Sequence, residues 1–319
     1  MRFVYGRQDA PDRVRAQENC YLLTNGLGGY SSLSGVFSMT RADQGLLVAA
    51  RTAPNDRVTL VARLQETLWL GDDEYYTLST QDVAEDSSCE DGWQYLSSFV
   101  VEDIPRWAYD VRGVRVTREV AMAFEQNAVA AAYTIRNRTG RSCRLTIHPW
   151  VLGFEKGHTP EKEWPVAYAD GVFTMGDMAL HLAASAPVEA EEPRYFMQAY
   201  MHDGPDGRPE KGLVASCACI RVTAKAGQSA VVTMVASDEG CELSAEDIKT
   251  EVVEVVKAAK KMVDLIGADV VVAVGRGISK DVEKGIALAE ELAEVLGGVV
   301  GSSRACVDAG WISADHQVG

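Results

Sequence analysis

The stretch VRVTREVAMAF (residues 114–124) alternates apolar and polar side chains, and AVAAAYTIRN (residues 128–137) does the same shortly afterwards. A period of two is typical of a half-buried antiparallel strand. The polar residues Gln126 and Asn127 separate the two runs, so the sequence predicts a β-hairpin here. The residues expected on its apolar face are Val114, Val116, Val120, Met122, Phe124, Val129, Ala131, Tyr133 and Ile135.

The same period continues to about residue 238. Val172 to Leu182 predicts another hairpin with its turn at residues 175–177. Residues 218–222 and 230–235 are expected to form a further hairpin, with its turn at residues 225–228. Many short strands with regular turns predict an antiparallel sandwich of two sheets.

After Gly240 the apolar period changes to that of a helix. Ser244 and Asp247 form an S-x-x-D pattern, which predicts a capped helix start, and Gly267 is expected to end this helix. The following apolar run, Val270 to Val274, predicts a parallel strand that is buried on both faces.

A second helix is predicted from Asp281 to Leu296, with Val299 and Val300 beginning another strand. Strand, helix and strand together predict a βαβ unit. The chain is therefore predicted to hold several domains of α and β structure. An antiparallel β-sandwich at residues 1–237 is followed by a junction at 238–246 and an incomplete Rossmann-like parallel α/β segment at 247–319.

Composition and charge narrow the function classes. The 319 residues are 47% hydrophobic and carry a formal net charge of −15, which argues against a nucleic-acid partner. Charges occupy the N-terminal stretch where a signal peptide needs its apolar core, and no apolar run reaches the ~20 residues of a membrane span. We therefore expect no membrane association and a cytoplasmic protein.

Cysteine usage also favours a cytoplasmic protein. Seven cysteines at irregular spacings favour reduced thiols over a disulfide framework. Cys217 and Cys219 form a C-x-C pair, and strand alternation would place both thiols on one face. No second ligand pair lies nearby in the sequence, so we predict no metal site.

Three glycines in four positions mark the stretch YLLTNGLGGYSS, residues 21–32. Together with Thr40-Arg41, the run Gly45 to Ala50 and the run Val58 to Leu68, it resembles the N-terminal domain of glycogen debranching enzymes of the amylo-α-1,6-glucosidase type. Residues 95–99, 105–109 and 125–127 fit the same family, and the resemblance spans about residues 1–237.

This resemblance implies a β-sandwich that precedes an (α/α) barrel, which carries the glycosidase carboxylates. Since the sequence shows no such barrel, we expect no catalytic residues and no enzymatic activity of this chain on its own. The resemblance implies an α-glucan partner, with contacts from Asn25, Gly26, Gly28, Gly29 and Arg41. Residues 42–44 depart from the family pattern. Four tryptophans offer aromatic faces for a sugar, but core packing is the expected role of Trp93, Trp107, Trp150 and Trp164.

The last segment, from about residue 243, resembles the FAD domain of electron transfer flavoprotein α subunits. The motifs VGRG (residues 274–277) and GSSRACVDAGW (residues 301–311) carry this resemblance. Arg276 lies where open α/β sheets bind ligands and can offer a forked donor to a pyrophosphate.

The resemblance implies FAD as the cofactor and an electron transfer flavoprotein β subunit as a partner. It implies that Ser303 contacts FAD and that Arg304 lies against the flavin ring. Val318 and Gly319 would begin a further contact loop. Because the family continues beyond the position of Gly319, we expect an incomplete site with low or no affinity for FAD.

Three functions remain open at this stage. The first is a non-catalytic carbohydrate-associated module fused to a truncated flavoprotein segment, and the length of the N-terminal resemblance favours it. The second is a FAD-binding electron transfer flavoprotein subunit. The third is a glycogen debranching α-1,6-glucosidase that lacks its catalytic barrel.

Overall fold

The computed structural model of the chain describes residues 2–52, 55–84, 89–261, 265, 268–313 and 316–318. The chain divides into two compact units, Met1–Val252 and Val253–Gly319, and the division falls within a helix. The helices are α1 (Arg13–Gln17), α2 (Ala245–Lys261), α3 (Val282–Val295) and α4 (Arg304–Asp308).

The first unit consists mainly of antiparallel strands. They are β1 (Phe3–Gly6), β2 (Leu23–Thr24), β3 (Tyr30–Ser32), β4 (Gly45–Thr52), β5 (Asp56–Leu70), β6 (Glu74–Thr77), β7 (Thr80–Asp82), β8 (Cys89–Asp91), β9 (Leu96–Val101), β10 (Arg106–Val111), β11 (Val114–Met122), β12 (Ala128–Asn137), β13 (Cys143–Glu155), β14 (Val166–Ala169), β15 (Val172–Met175), β16 (Met178–Ala184), β17 (Val188–Ala199), β18 (Lys211–Ala224) and β19 (Ser229–Ser237).

Two large sheets make up most of this unit, and β7 and β8 pair separately with each other. The nine-stranded sheet has the order β1-β9-β10-β11-β12-β19-β16-β15-β14, and the eight-stranded sheet has the order β17-β18-β13-β5-β4-β3-β2 with β6 added beside β5. Apolar side chains from both sheets form one main core, from Leu47 and Val61 on one sheet to Val116 and Ile135 on the other. The predicted β-sandwich is therefore present.

The hairpin predicted at residues 114–137 is confirmed. β11 pairs with β12 in antiparallel register, and Val120 lies opposite Ala131. All the residues expected on its apolar face lie in the main core except Phe124, which is 43% exposed. Phe124 follows the end of β11 and its ring lies against Gly26, so close that a Cβ there would be 2.9 Å from Cε2.

The two later turns have different outcomes. The hairpin at Val172 to Leu182 is confirmed, with Met175 opposite Met178 across its turn. The expectation of a hairpin around residues 225–228 is wrong, because β18 and β19 belong to different sheets and the turn crosses between them. Asn137 holds this corner by donating from Nδ2 to the carbonyls of Ala224 and Lys225, each at 3.1 Å.

Helix α2 begins as the sequence predicts. The amide of Ser244 donates to Asp247 Oδ2 at 3.0 Å, and the amide of Asp247 donates to Ser244 Oγ at 3.2 Å, which is the predicted capping box. Ile248, in the first turns, is fully buried against small side chains of the nine-stranded sheet, including Ala121 and Ala130. The predicted helix end at Gly267 lies outside the described residues.

In the second unit, strands β20 (Val271–Val274) and β21 (Val299–Ser302) pair in parallel. Helix α3 connects them, and Ala289 and Ala293 pack against Val274 and Val300. Two details differ from expectation. Ala273 on β20 is exposed rather than buried on both faces, and Leu296, expected to face inward, is 51% exposed because it lies beyond the last turn of α3.

The described thiols are free, as the irregular spacing predicts: Cys20, Cys143, Cys217, Cys219, Cys241 and Cys306. No helix among the described residues combines the length and apolar character that a membrane span requires.

Candidate functional site

The glycine-rich stretch forms a tight turn between β2 and β3. The amide of Asn25 donates to the carbonyl of Gly29 at 3.2 Å and closes the turn. Gly26 and Gly28 have φ angles of 79° and 100°, which strongly favour glycine. Gly29 is needed for space instead, because a Cβ there would lie 2.6 Å from Asn25 Nδ2. The structure thus brings four of the five predicted sugar-contact residues together.

Asn25 is fully buried and connects this turn to the one between β11 and β12. Its Nδ2 donates to Asn127 Oδ1 at 2.9 Å. Asn127 also bonds both the amide and the carbonyl of Ala50 at 2.9 Å, and donates to Asp238 Oδ2 at 2.6 Å. Asn127 therefore joins three segments of the backbone. In the sequence it was singled out only as part of the family motif at residues 125–127.

A groove of about 570 Å³ lies beside these turns. Its polar lining comes from several separate segments of the first unit: Arg51, Glu125, Gln126, Asn127, Asp177, Ser237, Asp238 and Glu239. Leu27 of the glycine turn lines the same groove, and Leu60 and Met178 supply apolar surface. The groove offers both hydrogen-bond donors and acceptors, with apolar side chains between them.

Arg41, the fifth predicted contact, takes part in a separate ion-pair cluster. Its Nη1 lies 3.3 Å from Asp203 Oδ1 and 2.5 Å from Asp206 Oδ2. The hydrogen bond and charge of Asp206 raise the pKa of Arg41, while slight burial opposes this rise. Asp203 is fully buried and also accepts from the amide of Ala42 at 2.6 Å. Arg41 therefore holds the loop before β4 against the turn after β17.

The predicted flavin contacts lie where β20 and β21 end. The amide of Ser303 donates to the carbonyl of Val274 at 2.9 Å, and a Cβ on Gly275 would lie 4.0 Å from Ser303 Oγ. Arg276 follows Gly275 in an exposed 3-10 turn. The structure thus places Arg276 and Ser303 at one edge of the parallel pair, as the right-handed crossover predicts.

Arg304 and Val318 lie close to the same edge. Arg304 is the first residue of α4 and its exposed side chain lies 3.7 Å from Asp308. The amide of Val318 donates to the carbonyl of Ser302 at 2.8 Å, while Ser302 Oγ is buried without a hydrogen-bond partner. The exposed guanidinium groups of Arg276 and Arg304 at this edge fit a phosphate-bearing ligand, whereas the buried Ser302 hydroxyl cannot reach one. Gly319 lies outside the described residues.

A further group of side chains was not predicted from the sequence. Cys219 on β18 lies beside His148 on β13 and Glu191 on β17, with their ligand atoms within 4.8 Å of one another. Cys217 packs in the main core instead, so the two thiols do not act as the pair that C-x-C alternation suggests. The irregular register between β17 and β18 and between β13 and β18 explains this difference.

Comparison with known families gives a direct result for the first unit. The family model for the glycogen debranching enzyme N-terminal domain matches residues 19–231. The chain belongs to this family. The matched residues include the glycine turn, the Arg41 cluster and the lining of the groove up to Ala179, whereas residues 237–240 of that lining lie beyond the match.

The remainder matches a different family. The model for the electron transfer flavoprotein FAD-binding domain matches residues 264–319. The chain is 67% identical over 78 residues to an acryloyl-CoA reductase electron transfer subunit beta of Anaerotignum propionicum, which covers 24% of this chain and 21% of that protein. The chain thus joins a debranching-type domain to a flavoprotein-type segment, and it spans about a fifth of that relative.

Other similarities are weaker or shorter. An electron transfer flavoprotein subunit alpha of Syntrophomonas wolfei is 33% identical over 223 residues, covering 69% of this chain and 61% of that protein. A solved structure named as a kojibiose phosphorylase from the human microbiome has a TM-score of 0.36 and 9% identity, over 82% of this chain and 35% of that one.

Proposed function

We propose that residues 1–237 form a non-catalytic α-glucan-binding module, joined through residues 238–246 to a flavin-contacting segment at 247–319. The observation that supports the glucan proposal is the groove beside the Asn25–Gly29 turn. Its base is fixed by the Asn25–Asn127–Asp238 hydrogen bonds, so Asn127 and Asp238 are preorganised. Sugar hydroxyls are both donors and acceptors and match such a mixed lining.

The hydrogen bonding of Asp238 supports a binding role rather than a catalytic one. Glycoside hydrolysis requires one carboxyl group as acid and another as base or nucleophile. Asp238 Oδ2 is held by Asn127 at 2.6 Å, and Asn127 in turn supports the backbone of β4. This carboxylate therefore stabilises the groove base.

Affinity electrophoresis in gels that contain glycogen tests the glucan proposal. Wild-type protein should be retarded, and Arg51→Ala should weaken binding about tenfold, since a hydrogen bond to a charged group contributes ~1.5–3 kcal/mol. Gln126→Ala should weaken binding by less, since a neutral hydrogen bond contributes ~0.5–1.5 kcal/mol. Arg136→Ala is the matched control, because this exposed arginine is eight residues from Ala128 on β12, roughly 26 Å away. Unretarded wild-type protein contradicts the binding role, and glucose release from a limit dextrin contradicts the non-catalytic role.

For the flavin-contacting segment, we propose an incomplete Rossmann-like unit that contacts the pyrophosphate of FAD through Arg276 and Ser303, with Arg304 and Val318 beside them. Each charge-assisted hydrogen bond contributes at most ~1.5–3 kcal/mol, whereas association costs ~4–15 kcal/mol. These contacts alone therefore give weak binding. An electron transfer flavoprotein β subunit is the proposed partner of this segment. The free thiols fit a cytoplasmic protein.

Quenching of flavin fluorescence during titration with FAD tests this second proposal. The chain alone should show no saturation at micromolar FAD, and an added electron transfer flavoprotein β subunit should increase the affinity. Arg276→Ala should reduce the remaining quenching, whereas Lys280→Ala, an exposed cation just after the same turn, should not. Micromolar binding by the chain alone, or equal effects of both substitutions, contradicts the proposal.

A further inference from the structure

We propose that His148, Glu191 and Cys219 bind a divalent metal ion of the zinc type on the debranching-type domain. The three residues lie on the adjacent strands β13, β17 and β18 of the eight-stranded sheet. Ile147 on β13 pairs with Ile220 on β18. His148 and Cys219 are the next residues along these antiparallel strands and therefore lie beside each other. Glu189 pairs with Cys219, and Glu191 follows two residues later, where the register becomes irregular.

The ligand set and the spacing suit zinc. Imidazole nitrogen, carboxylate oxygen and thiolate sulfur are the three donor types that zinc takes from proteins. Bond lengths of about 2.0–2.3 Å place ligand atoms about 3.3–3.7 Å apart around a tetrahedral ion. His148 Nε2 already lies 3.3 Å from Glu191 Oε2, and all three ligand atoms are within 4.8 Å. Side-chain adjustments of about 1 Å would therefore close the site, with water as a fourth ligand.

The imidazole is the best prepared of the three ligands. His148 is largely buried, and the ring nitrogen that faces Glu191 is Nε2, so Nε2 is the atom placed to bind the ion. The ring proton then lies on Nδ1, which has no hydrogen-bond partner among the described residues. Burial and the nearby Arg194 lower the pKa of His148, which keeps the ring neutral and leaves a lone pair for a metal.

The thiol must lose its proton when the ion binds. Burial and Glu191 raise the pKa of Cys219 to about 12, so Cys219 is a thiol without the ion. Binding then forms a metal–sulfur bond, breaks the S–H bond and releases one proton to solvent, and no oxidant is required.

Two arginines compete for the carboxylate. Arg221 Nη2 lies 2.7 Å from Glu191 Oε1, and Arg194 Nη2 lies 3.2 Å from Oε2. Glu191 Oε1 can keep its contact with Arg221 outside the coordination sphere while Glu191 Oε2 binds the ion. The side chain of Arg194 is 47% exposed and can move into solvent, whereas Arg221 is also tied to Glu189. Removing Arg194 should therefore strengthen metal binding, because one positive charge beside the ion disappears.

Titration with Co²⁺ tests the site on the full chain, after dialysis against a chelator and with a phosphine reductant. Wild-type protein should bind one ion with a thiolate-to-cobalt charge-transfer band and tetrahedral d–d bands. Cys219→Ser should abolish the charge-transfer band, while Cys217→Ser, the matched control two residues away, should keep it. His148→Gln should lower affinity about tenfold or more, since even outer-shell partners contribute 10–100-fold.

Arg194→Gln should increase the affinity for cobalt severalfold. A purely structural ion-pair cluster would not show this increase. Circular dichroism melts of each variant verify folding. If Cys219→Ser fails to fold, His148→Gln retains the thiol and tests the same site. The proposal is overturned if wild-type protein gives no charge-transfer band, or if the band persists in Cys219→Ser.

Discussion

Arg118 Nη1 lies 2.5 Å from Glu66 Oε1, and both side chains are about 1% exposed. Glu66 is on β5 and Arg118 is on β11, so this ion pair joins the two sheets across the main core. Tyr133 donates its hydroxyl to Glu66 Oε1 at 2.7 Å, and Arg118 Nη2 donates to the hydroxyl of Tyr109 at 2.8 Å. The guanidinium also lies 3.4 Å from the ring centroid of Phe37.

Loss of one member of this pair should be strongly destabilising. Glu66→Gln leaves the buried guanidinium without a counter-charge, which costs ~3–5 kcal/mol in comparable buried pairs. The double variant Glu66→Leu with Arg118→Met leaves no unpaired charge and should cost less than Glu66→Gln alone. Urea denaturation followed by tryptophan fluorescence measures these free energies of unfolding.

The control for this prediction is an exposed pair of the same chemistry. Glu74 pairs with Arg141 at the surface, so Glu74→Gln should change the free energy of unfolding little. A Glu66→Gln variant that is no less stable than Glu74→Gln would show that the buried pair does not stabilise the sandwich.

Gly29→Ala should destabilise the glycine turn by steric overlap alone. Its new Cβ would lie 2.6 Å from Asn25 Nδ2 and 2.8 Å from Asn127 Oδ1, and overpacking of this kind costs ~1–3 kcal/mol. Gly140→Ala is the control, because no atom lies within 4 Å of a Cβ there. Thermal melts should show a lower Tm for Gly29→Ala than for the wild type, and an unchanged Tm for Gly140→Ala. Equal Tm values would mean that the turn can relax without cost.

The sequence predicted individual strands and helix ends better than the arrangement of strands. The period of two placed Val116 and Tyr133 in the core, and the Ser244–Asp247 pattern located the start of α2, because these signals depend on local geometry. Alternation could not show that β18 and β19 lie in different sheets, since a crossover turn and a hairpin turn have similar composition. Asn137 holds the crossover through the carbonyl of Ala224, which is 87 residues away, and such a contact leaves no local pattern.

The candidate sites show the same limit. The residues of the Asn25–Gly29 turn lie in one contiguous motif. Arg276 and Ser303 lie in two motifs, and they were expected together because each motif follows a parallel strand of the same βαβ unit. The His148–Glu191–Cys219 cluster was missed because its members come from three strands and depend on an irregular register. Arg41 was grouped with the turn by family resemblance, although it pairs with Asp203 and Asp206. Ion pairs between distant segments leave no local pattern.

Ile248→Ala should loosen the start of α2 from the nine-stranded sheet. Ile248 is fully buried among alanines and Val235, and loss of a buried isoleucine side chain costs ~2–5 kcal/mol. Val231→Ala, at a position 62% exposed on β19, is the control. Hydrogen exchange should become faster at residues 248–252 in Ile248→Ala. Unchanged exchange there would contradict this docking.

The same helix start is joined to the sheet by an ion pair that should make its docking sensitive to acid. Lys249 Nζ lies 2.8 Å from Glu119 Oε2, and Arg106 Nη2 lies 2.5 Å from Glu119 Oε1. Burial opposes ionisation of Glu119, but the hydrogen bonds and charges of Lys249 and Arg106 outweigh it and lower the pKa of Glu119.

Because this pKa is lower in the folded than in the unfolded state, the stabilisation is fully present above the ordinary glutamate pKa of about 4.3. It is lost as pH falls through the lower folded value. The difference in free energy of unfolding between wild type and Glu119→Gln should therefore be constant from pH 7 to about pH 5 and should shrink below it. In a Lys249→Met background the same comparison should show a smaller difference, because the main partner is gone. A wild-type difference that is unchanged between pH 7 and pH 3 would show that Glu119 ionisation does not stabilise the docked helix.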